Sequence, residues 1–422
     1  MSELQPEAKR MLGVMLREME QTVLPVLGSA QARTIAHLIA QGLRNLLARQ
    51  DAIPALLADW NRTGAALVAQ AAQSEASIES DPVGRMHALG PLLETVVADR
   101  MAAAKGGAPD ALCQGAIRAE RDFLASQAEA IKAVTPVQRT AERVALMTVT
   151  PQKLTDYFRA KLPQYGSLEV KAVTPVLSGF SKETILIDME VDGVATPVVM
   201  RRNISCGAVE TSVVDEYPIV VALHRHGLPV AEPFLPEPDE KVFGEAFAVT
   251  RRAPGSPATN SMAGLVAGPE LRPAMLELAA FLGRLHQVDP RTLDLPRRFF
   301  DPALSTHDYL VREIDICERY YRHHAQQPSI IITAALAWLR ANVPAVEGPP
   351  RLVHGDAAPA NLLMNGDRIS VMLDWEPSHP GDAIEDVTYT RKWVDQFMPW
   401  DDFLAHYYRH GGIEYRPERE KF

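Results

Sequence analysis

The residues with the clearest chemical promise lie between Arg351 and Asp386, in the run RLVHGDAAPANLLMNGDRISVMLDWEPSHPGDAIED. An apolar lead, Leu352 and Val353, ends in His354-Gly355-Asp356. Asn361 follows on the connecting loop, and Asp374 ends a second apolar run, Ile369 to Leu373. Two short strands would thus each carry an acid to a turn, with an amide between them. Such a set suits a hard divalent cation beside a reacting hydroxyl, because Mg²⁺ takes oxygen ligands in a tight octahedron and shares them with phosphate. Asp and Asn are also ordinary turn formers. The ordered pattern H-G-D-x-x-x-x-N followed by strand-Asp-Trp-Glu is what raises them above that role.

Chemistry on phosphate also needs a cation on a rigid element and an acid to hold it. The middle of the chain offers both. Leu168 to Val176 reads as a strand, Ser178-Gly179-Phe180-Ser181 as a small-residue turn, and Glu183 to Val191 as a second strand. Asp192-Gly193 is a two-residue hairpin signal, and Thr196 to Arg202 is the return strand. It ends in Arg201 and Arg202, of which strand alternation lets only one point inward. A helix at about Val209 to His226 carries Glu216, and Pro218 predicts a kink or a late start there. Gly244 to Arg251 is a further strand, holding Thr250 and Arg251.

Pro254-Gly255-Ser256-Pro257 punctuates the chain between a small sheet lobe and a larger helical one. Leu271 to Val288 is an amphipathic helix, with Pro273 allowed in its first turn. Helices are also expected at Asp301 to about His324 and at Ile330 to Asn342, within a connection long enough to carry elements that cap a site. A last helix is expected from Asp395 to His410.

Residues 1 to about 148 differ in character. The region is alanine-rich, with stripes at helical spacing: Ile35, Leu38, Ile39, Leu43, Leu46 and Leu47; Leu56 with Leu57; Leu89, Leu92, Leu93 and Val97; and Ile117 to Val134. Asp110 and Ser29 stand where helix caps would. Four or five bundled helices are expected, with no motif that states a role. The chain is therefore read as α+β, with domains at 1–148 (helical bundle), 149–255 (sheet lobe) and 256–422 (helical lobe).

Composition bounds the function. The chain has 422 residues, 47% hydrophobic and 23% charged, with a net charge of −10. No basic run offsets that charge, which argues against a nucleic-acid partner. Cys113, Cys206 and Cys317 lie far apart, so neither a zinc site nor a disulfide framework is indicated. The N-terminal MSELQPEAKRML has no signal-peptide core, and no run approaches the roughly 18 apolar residues of a membrane span, so a cytoplasmic protein is expected. P-loop, dinucleotide, zincin and nucleophile-elbow motifs are all missing.

The remaining parts match those of phosphoryl transfer in order, and the spacing His354-Gly355-Asp356 to Asn361 is that of the protein-kinase catalytic loop. From about residue 165 the chain resembles the aminoglycoside phosphotransferase and choline kinase-like family. Within it, the likeness is nearest to kinase-like domains found alone in bacteria or fused to acyl-CoA dehydrogenases in animals. The resemblance implies a bilobal protein-kinase-like fold, with a small antiparallel-sheet N-lobe and a mainly helical C-lobe. It implies that Asp356 is the catalytic base, with Asn361 and Asp374 as Mg²⁺ ligands. Arg201 would take the strand cation's place on the phosphates of ATP or GTP, with Glu216 as its helical partner. Ser178, Gly179, Phe180 and Ser181 would cover the phosphates, and Thr250 and Arg251 would lie near the hinge that meets the base. His354 is expected to hold the loop through a hydrogen bond, and Glu376, Asp382 and Asp386 to support the site.

The sequence departs from that family in three places. Arg201 replaces the usual lysine, and a planar fork grips phosphate differently. Lys182 stands where relatives often carry a small polar residue, and is expected to touch phosphate or, in preference, to lie in solvent. The chain ends at Phe422, soon after Asp386, so either a truncated C-lobe or an incomplete acceptor pocket is expected. The expected activity is a Mg²⁺-dependent kinase acting on a hydroxyl of a small molecule. The alternative is a nucleotide-binding regulatory or scaffold protein without useful transfer. In either case the N-terminal helices would serve a homo-oligomer or a protein partner.

Overall fold

Along Lys182–Val191 the burial alternates, placing Ile185, Ile187, Met189 and Val191 on one face, as a half-buried strand requires. Each such side chain contributes on the order of 1.5–3 kcal/mol when removed from water. The computed structural model describes residues 4–23, 40, 60–69, 82–104, 107–134, 149–176, 182–203, 211–259, 271–325 and 328–422. These group into two compact units, Met1–Leu146 with Val311–Val343, and Met147–Leu310 with Pro344–Phe422.

In the first unit, α1 spans Leu4–Glu18, a helical segment covers 60–69, and α2 and α3 span Pro82–Ala103 and Ala111–Val134. Asp110 caps α3, accepting the Cys113 N–H at 2.9 Å. Leu89, Leu93, Val97, Cys113 and Ala116 form a core with Trp60, and Ile330 and Ala334 enter the same core. The stripe from Ile35 to Leu47, Leu56 with Leu57, and Ser29 lie outside the described residues.

The second unit opens with α4, Pro151–Lys161, capped by Thr150 and packed through Leu154 and Phe158 against the sheet core. The strands are β1 (Leu168–Val176), β2 (Lys182–Val191), β3 (Val194–Ala195), β4 (Val198–Asn203), β5 (Pro233–Glu237) and β6 (Phe247–Arg251). They form one antiparallel sheet in the order β1-β2-β4-β6-β5, with β3 on β2. The hairpin turn is at Asp192-Gly193, with φ of 50° and 78°, the left-handed pair this turn demands. Helix α5, Val213–Arg225, starts late, capped by Ser212, and still holds Pro218 inside it, past the first turn.

Helix α6, Arg272–Leu285, is buried along most of its length and centres the helical lobe. Around it lie β7 (Ser256–Pro257), β8 (Arg351–Val353), β9 (Leu362–Asn365), β10 (Arg368–Met372) and β11 (His379–Gly381). They pair as β10-β9-β7 and β11-β8, and Leu352 of β8 and Met372 of β10 share one core with α6. The stretch expected to cap a site instead divides. Helix α7 spans Thr306–His324 and α8 spans Ile330–Ala341, and residues 311–343 group with the N-terminal helices. The carboxylates of Glu94 and Glu120 explain this, because they take N–H groups at the start of α8. Glu94 Oε1 accepts from Ser329 N–H at 3.2 Å, and Glu120 Oε2 from Ile331 N–H at 2.6 Å. Burial pushes the Glu120 carboxyl up against these bonds.

The expected last helix is two, α9 (Ile384–Phe397) and α10 (Trp400–Arg409), separated at Met398-Pro399. The final residues fold back, with Arg419 on Asp382 at 2.7 Å and Arg391 on Glu420 at 2.7 Å. No described helix is long and apolar enough to cross a membrane.

Candidate active site

Alternation along β4 separates the two arginines. Arg202 is 1% exposed and turns into the sheet core side, where it donates to Glu183 Oε2 at 2.8 Å and Phe243 O at 2.7 Å. Arg201 points the other way. Its Nη1 donates to Glu216 Oε1 at 2.6 Å and its Nη2 to Asp374 Oδ1 at 3.0 Å. Glu216 stands in the first turn of α5, and Oε1 also accepts the Trp375 N–H at 3.2 Å. Burial pushes the Glu216 carboxyl above the ordinary range, and the Arg201 charge pulls against it.

The motif loop is held by His354. Its Nδ1 accepts the Asp356 N–H at 3.1 Å, so Nε2 carries the proton and donates to Leu373 O at 3.0 Å. The ring therefore ties the Asp356 turn to the residue before Asp374. Burial pushes this imidazole down and keeps it neutral. Gly355 has a φ of 82°, and a Cβ there would lie 2.5 Å from Pro377 O. Asp374 has a φ of 65°, a left-handed backbone uncommon outside glycine and a mark of functional turns. Trp375 is buried beneath the turn, against the rings of Phe281 and His354.

Behind the loop, Asp386 accepts the N–H groups of His354 at 2.7 Å and Gly355 at 2.9 Å. Its Oδ2 also meets His286 Nε2 at 3.1 Å. Tyr407 Oη accepts the Ile413 N–H, which leaves its own proton for His286 Nδ1 at 2.8 Å. His286 Nε2 then carries a hydrogen toward Asp386. Burial pushes the Asp386 carboxyl up, but the hydrogen bonds from His286 and from the His354 N–H outweigh it, so the group ionises below the ordinary range.

Asn361 Nδ2 donates both to Asp356 O and to Asp356 Oδ2, each at 2.9 Å. With its amino end so used, Asn361 has its carbonyl oxygen left for a cation. Asp374 is 34% exposed, reachable from solvent. Among the described residues there is no cluster of three His, Cys, Asp or Glu side chains fit to cage a metal. An amide oxygen and one carboxylate fit Mg²⁺, which keeps few protein ligands and fills the rest with water and phosphate.

Arg201, Glu216, Asp356, Asn361 and Asp374 are thus linked through shared partners and adjacent turns. Ser178, Gly179, Phe180 and Ser181 lie outside the described residues. Thr250 and Arg251 sit on β6, with Arg251 stacked 4.8 Å over the Phe234 ring. Lys182 departs from its expected place in solvent. It is 4% exposed and donates to Glu376 Oε1 at 3.0 Å and to Thr211 O, because Glu376 offers a buried carboxylate that only a cation can match. Sequence reasoning missed Tyr389, whose hydroxyl donates to Asp356 Oδ1 at 2.5 Å, and His286. Neither belongs to a local motif, although Tyr389 lies one turn from Asp386 on α9.

Comparison with known proteins adds the following. Acyl-CoA dehydrogenase family member 11 of Gallus gallus is 29% identical over 191 residues, 45% of this chain and 23% of that protein. The Mus musculus protein of the same name is 27% identical over 243 residues, 56% of this chain and 30% of that protein. The chain thus spans less than a third of the length of these curated relatives. The macrolide 2′-phosphotransferase MphH of Brachybacterium faecium aligns with a TM-score of 0.43 at 20% identity, covering 64% of this chain and 86% of that one. The stretch that matches the Phosphotransferase enzyme family is residues 172–422. It begins in the first strand of the sheet and takes in every residue of the site just described, and the chain belongs to that family.

Proposed function

We propose that this protein transfers the terminal phosphoryl group of a nucleoside triphosphate, ATP or GTP, to a hydroxyl of a small molecule, with Mg²⁺. The observation that carries this reading is the clamp of Asn361 on Asp356, which uses the amino end of Asn361 and leaves its amide oxygen, while the Leu373 N–H on Asn361 O at 2.8 Å ties that residue to the one before Asp374. In it, Asp356 accepts a hydrogen bond from the acceptor hydroxyl and takes its proton as the new O–P bond forms and the bond from that phosphorus to the bridging oxygen breaks, releasing the nucleoside diphosphate. Asn361 Oδ1 and Asp374 would hold Mg²⁺, which when bound offsets charge on the phosphates. Arg201 grips the phosphates as a planar fork, and Glu216 fixes the direction of that fork. Ser178 to Ser181 would supply backbone N–H groups above the phosphates, and the β6 end at Thr250 and Arg251 would meet the base.

The acceptor panel should span aminoglycosides, sugars, amino alcohols and hydroxyl-bearing acyl thioesters, the last suggested by the names of the relatives. Asp356→Ala is expected to lower turnover by about 10²–10⁴-fold while Mg·ATP still raises the melting temperature. Wild-type turnover in this variant would sink the assignment. Nucleotide binding with no transfer to any acceptor would favour the regulatory reading.

A further inference from the structure

We propose that Tyr389 is a positioning residue for phosphoryl transfer, its hydroxyl fixing one oxygen of the Asp356 carboxylate while Asn361 fixes the other. The inference rests on the reading of Asp356 as the base.

An Asp side chain turns easily about its last bond, whose torsion is broad and roughly two-fold. One hydrogen bond leaves the second oxygen free to swing. Here both are held, Oδ2 by Asn361 Nδ2 at 2.9 Å and Oδ1 by Tyr389 Oη at 2.5 Å. Each carboxylate oxygen has room for more than one bond, so an acceptor hydroxyl can still be received, now in a single orientation. Holding a base in line in this way removes disorder from the reacting geometry before the chemical step.

Tyr389 is itself braced. It lies on α9, whose Val387, Thr390, Trp393 and Val394 are buried. Its ring packs on Trp393 with centroids 5.1 Å apart, and Lys392 Nζ stands 4.1 Å from its centroid. A cation over the ring face draws electron density from the phenol and strengthens its O–H as a donor. Burial and the hydrogen bond to Asp356 hold this phenol well above its ordinary range, so it remains a donor wherever the protein is folded. No catalytic motif includes Tyr389; it meets Asp356 only because α9 follows directly on β11.

The test uses the full chain with Mg·ATP and water as the acceptor, read as phosphate release. Tyr389→Phe removes one oxygen and keeps the packing. It is expected to lower kcat about 10- to 100-fold, with KM for ATP within about two-fold and an unchanged melting temperature; a merely structural role would move stability instead. The second arm is a cycle with Asp356→Asn. If Tyr389 acts through Asp356, adding Tyr389→Phe to Asp356→Asn lowers kcat no further. Wild-type kcat in Tyr389→Phe, or an equal loss in both backgrounds, overturns the inference and leaves Asp356 as base intact. Wild-type kcat in Asp356→Asn overturns the reading of the base, and the inference with it.

Discussion

Arg201 Nη2 meets Asp374 Oδ1 at 3.0 Å across 173 residues of chain, while Nη1 of the same guanidinium holds Glu216. One planar group therefore spans a helix acid and a loop acid, which a lysine ammonium cannot do with the same fixed angles. Arg201→Lys is expected to keep the fold and to raise KM for ATP by about 3- to 10-fold. Arg201→Ala leaves Glu216 buried without its cation. The loss should be on the order of 2 kcal/mol, below the roughly 3–5 kcal/mol of a fully buried pair, because Arg201 remains 26% exposed. Denaturant unfolding and ATP titration of turnover check both.

Gly355→Ala should be far more damaging than a change at Gly366. Both have positive φ, 82° and 61°, but only Gly355 faces a carbonyl that its Cβ would strike. Gly355→Ala is expected to cost at least about 2 kcal/mol and to displace Asp356, whereas Gly366→Asn should cost less than about 1 kcal/mol. Urea unfolding and turnover of the two variants give the comparison.

The pair Lys182–Glu376 is 3% and 8% exposed, at 3.0 Å. Removing Lys182 takes the paired cation from a buried carboxylate that keeps its hydrogen bond from Thr211 Oγ1, so Lys182→Met is expected to destabilise by about 3 kcal/mol. Adding Glu376→Leu should restore part of this, because the buried carboxylate is then gone as well. Guanidinium unfolding of the single and double variants measures the coupling.

Asp386 sets a pH dependence. Its carboxyl ionises below the ordinary range in the folded protein, so its contribution is present above the unfolded value of about 3.9 and lost as pH falls through the folded value. Asp386→Asn is expected to cost about 2–4 kcal/mol at pH 7. The gap from wild type should narrow below about pH 4. Melting curves from pH 3 to 8 would show the opposite trend if Asp386 were protonated when folded.

What the sequence revealed of the cleft follows from the range of its signals. Asp356 and Asp374 lie on the loops just after β8 and β10, with Asn361 on the short turn before β9, so all three fall in one short stretch of chain and their proximity is written in local spacing. The choice between Arg201 and Arg202 needed the face of β4, which alternation alone left open and the Glu183–Arg202 contact decides. Lys182 with Glu376, Tyr389 with Asp356 and His286 with Asp386 join residues far apart in the chain, at distances of 194, 33 and 100 positions. No periodicity encodes such partners. The fold was legible for the sheet because its hairpin turn and alternation are short-range. The grouping of 311–343 was not, because an amphipathic helix states that it has an apolar face and not which core receives it.

That grouping bears on how such a protein can be taken apart. Ile330 and Ala334 share a core with Leu89, Leu93 and Cys113, and the start of α8 depends on carboxylates from α2 and α3. A single cut ahead of Met147 would leave α8 in place with its apolar side bare and the Ile331 N–H without its Glu120 acceptor. The kinase-like part is therefore not a cassette with one seam. To be moved, fused or inherited on its own, it must lose or re-cover residues 311–343 at the same time as it parts from 1–146.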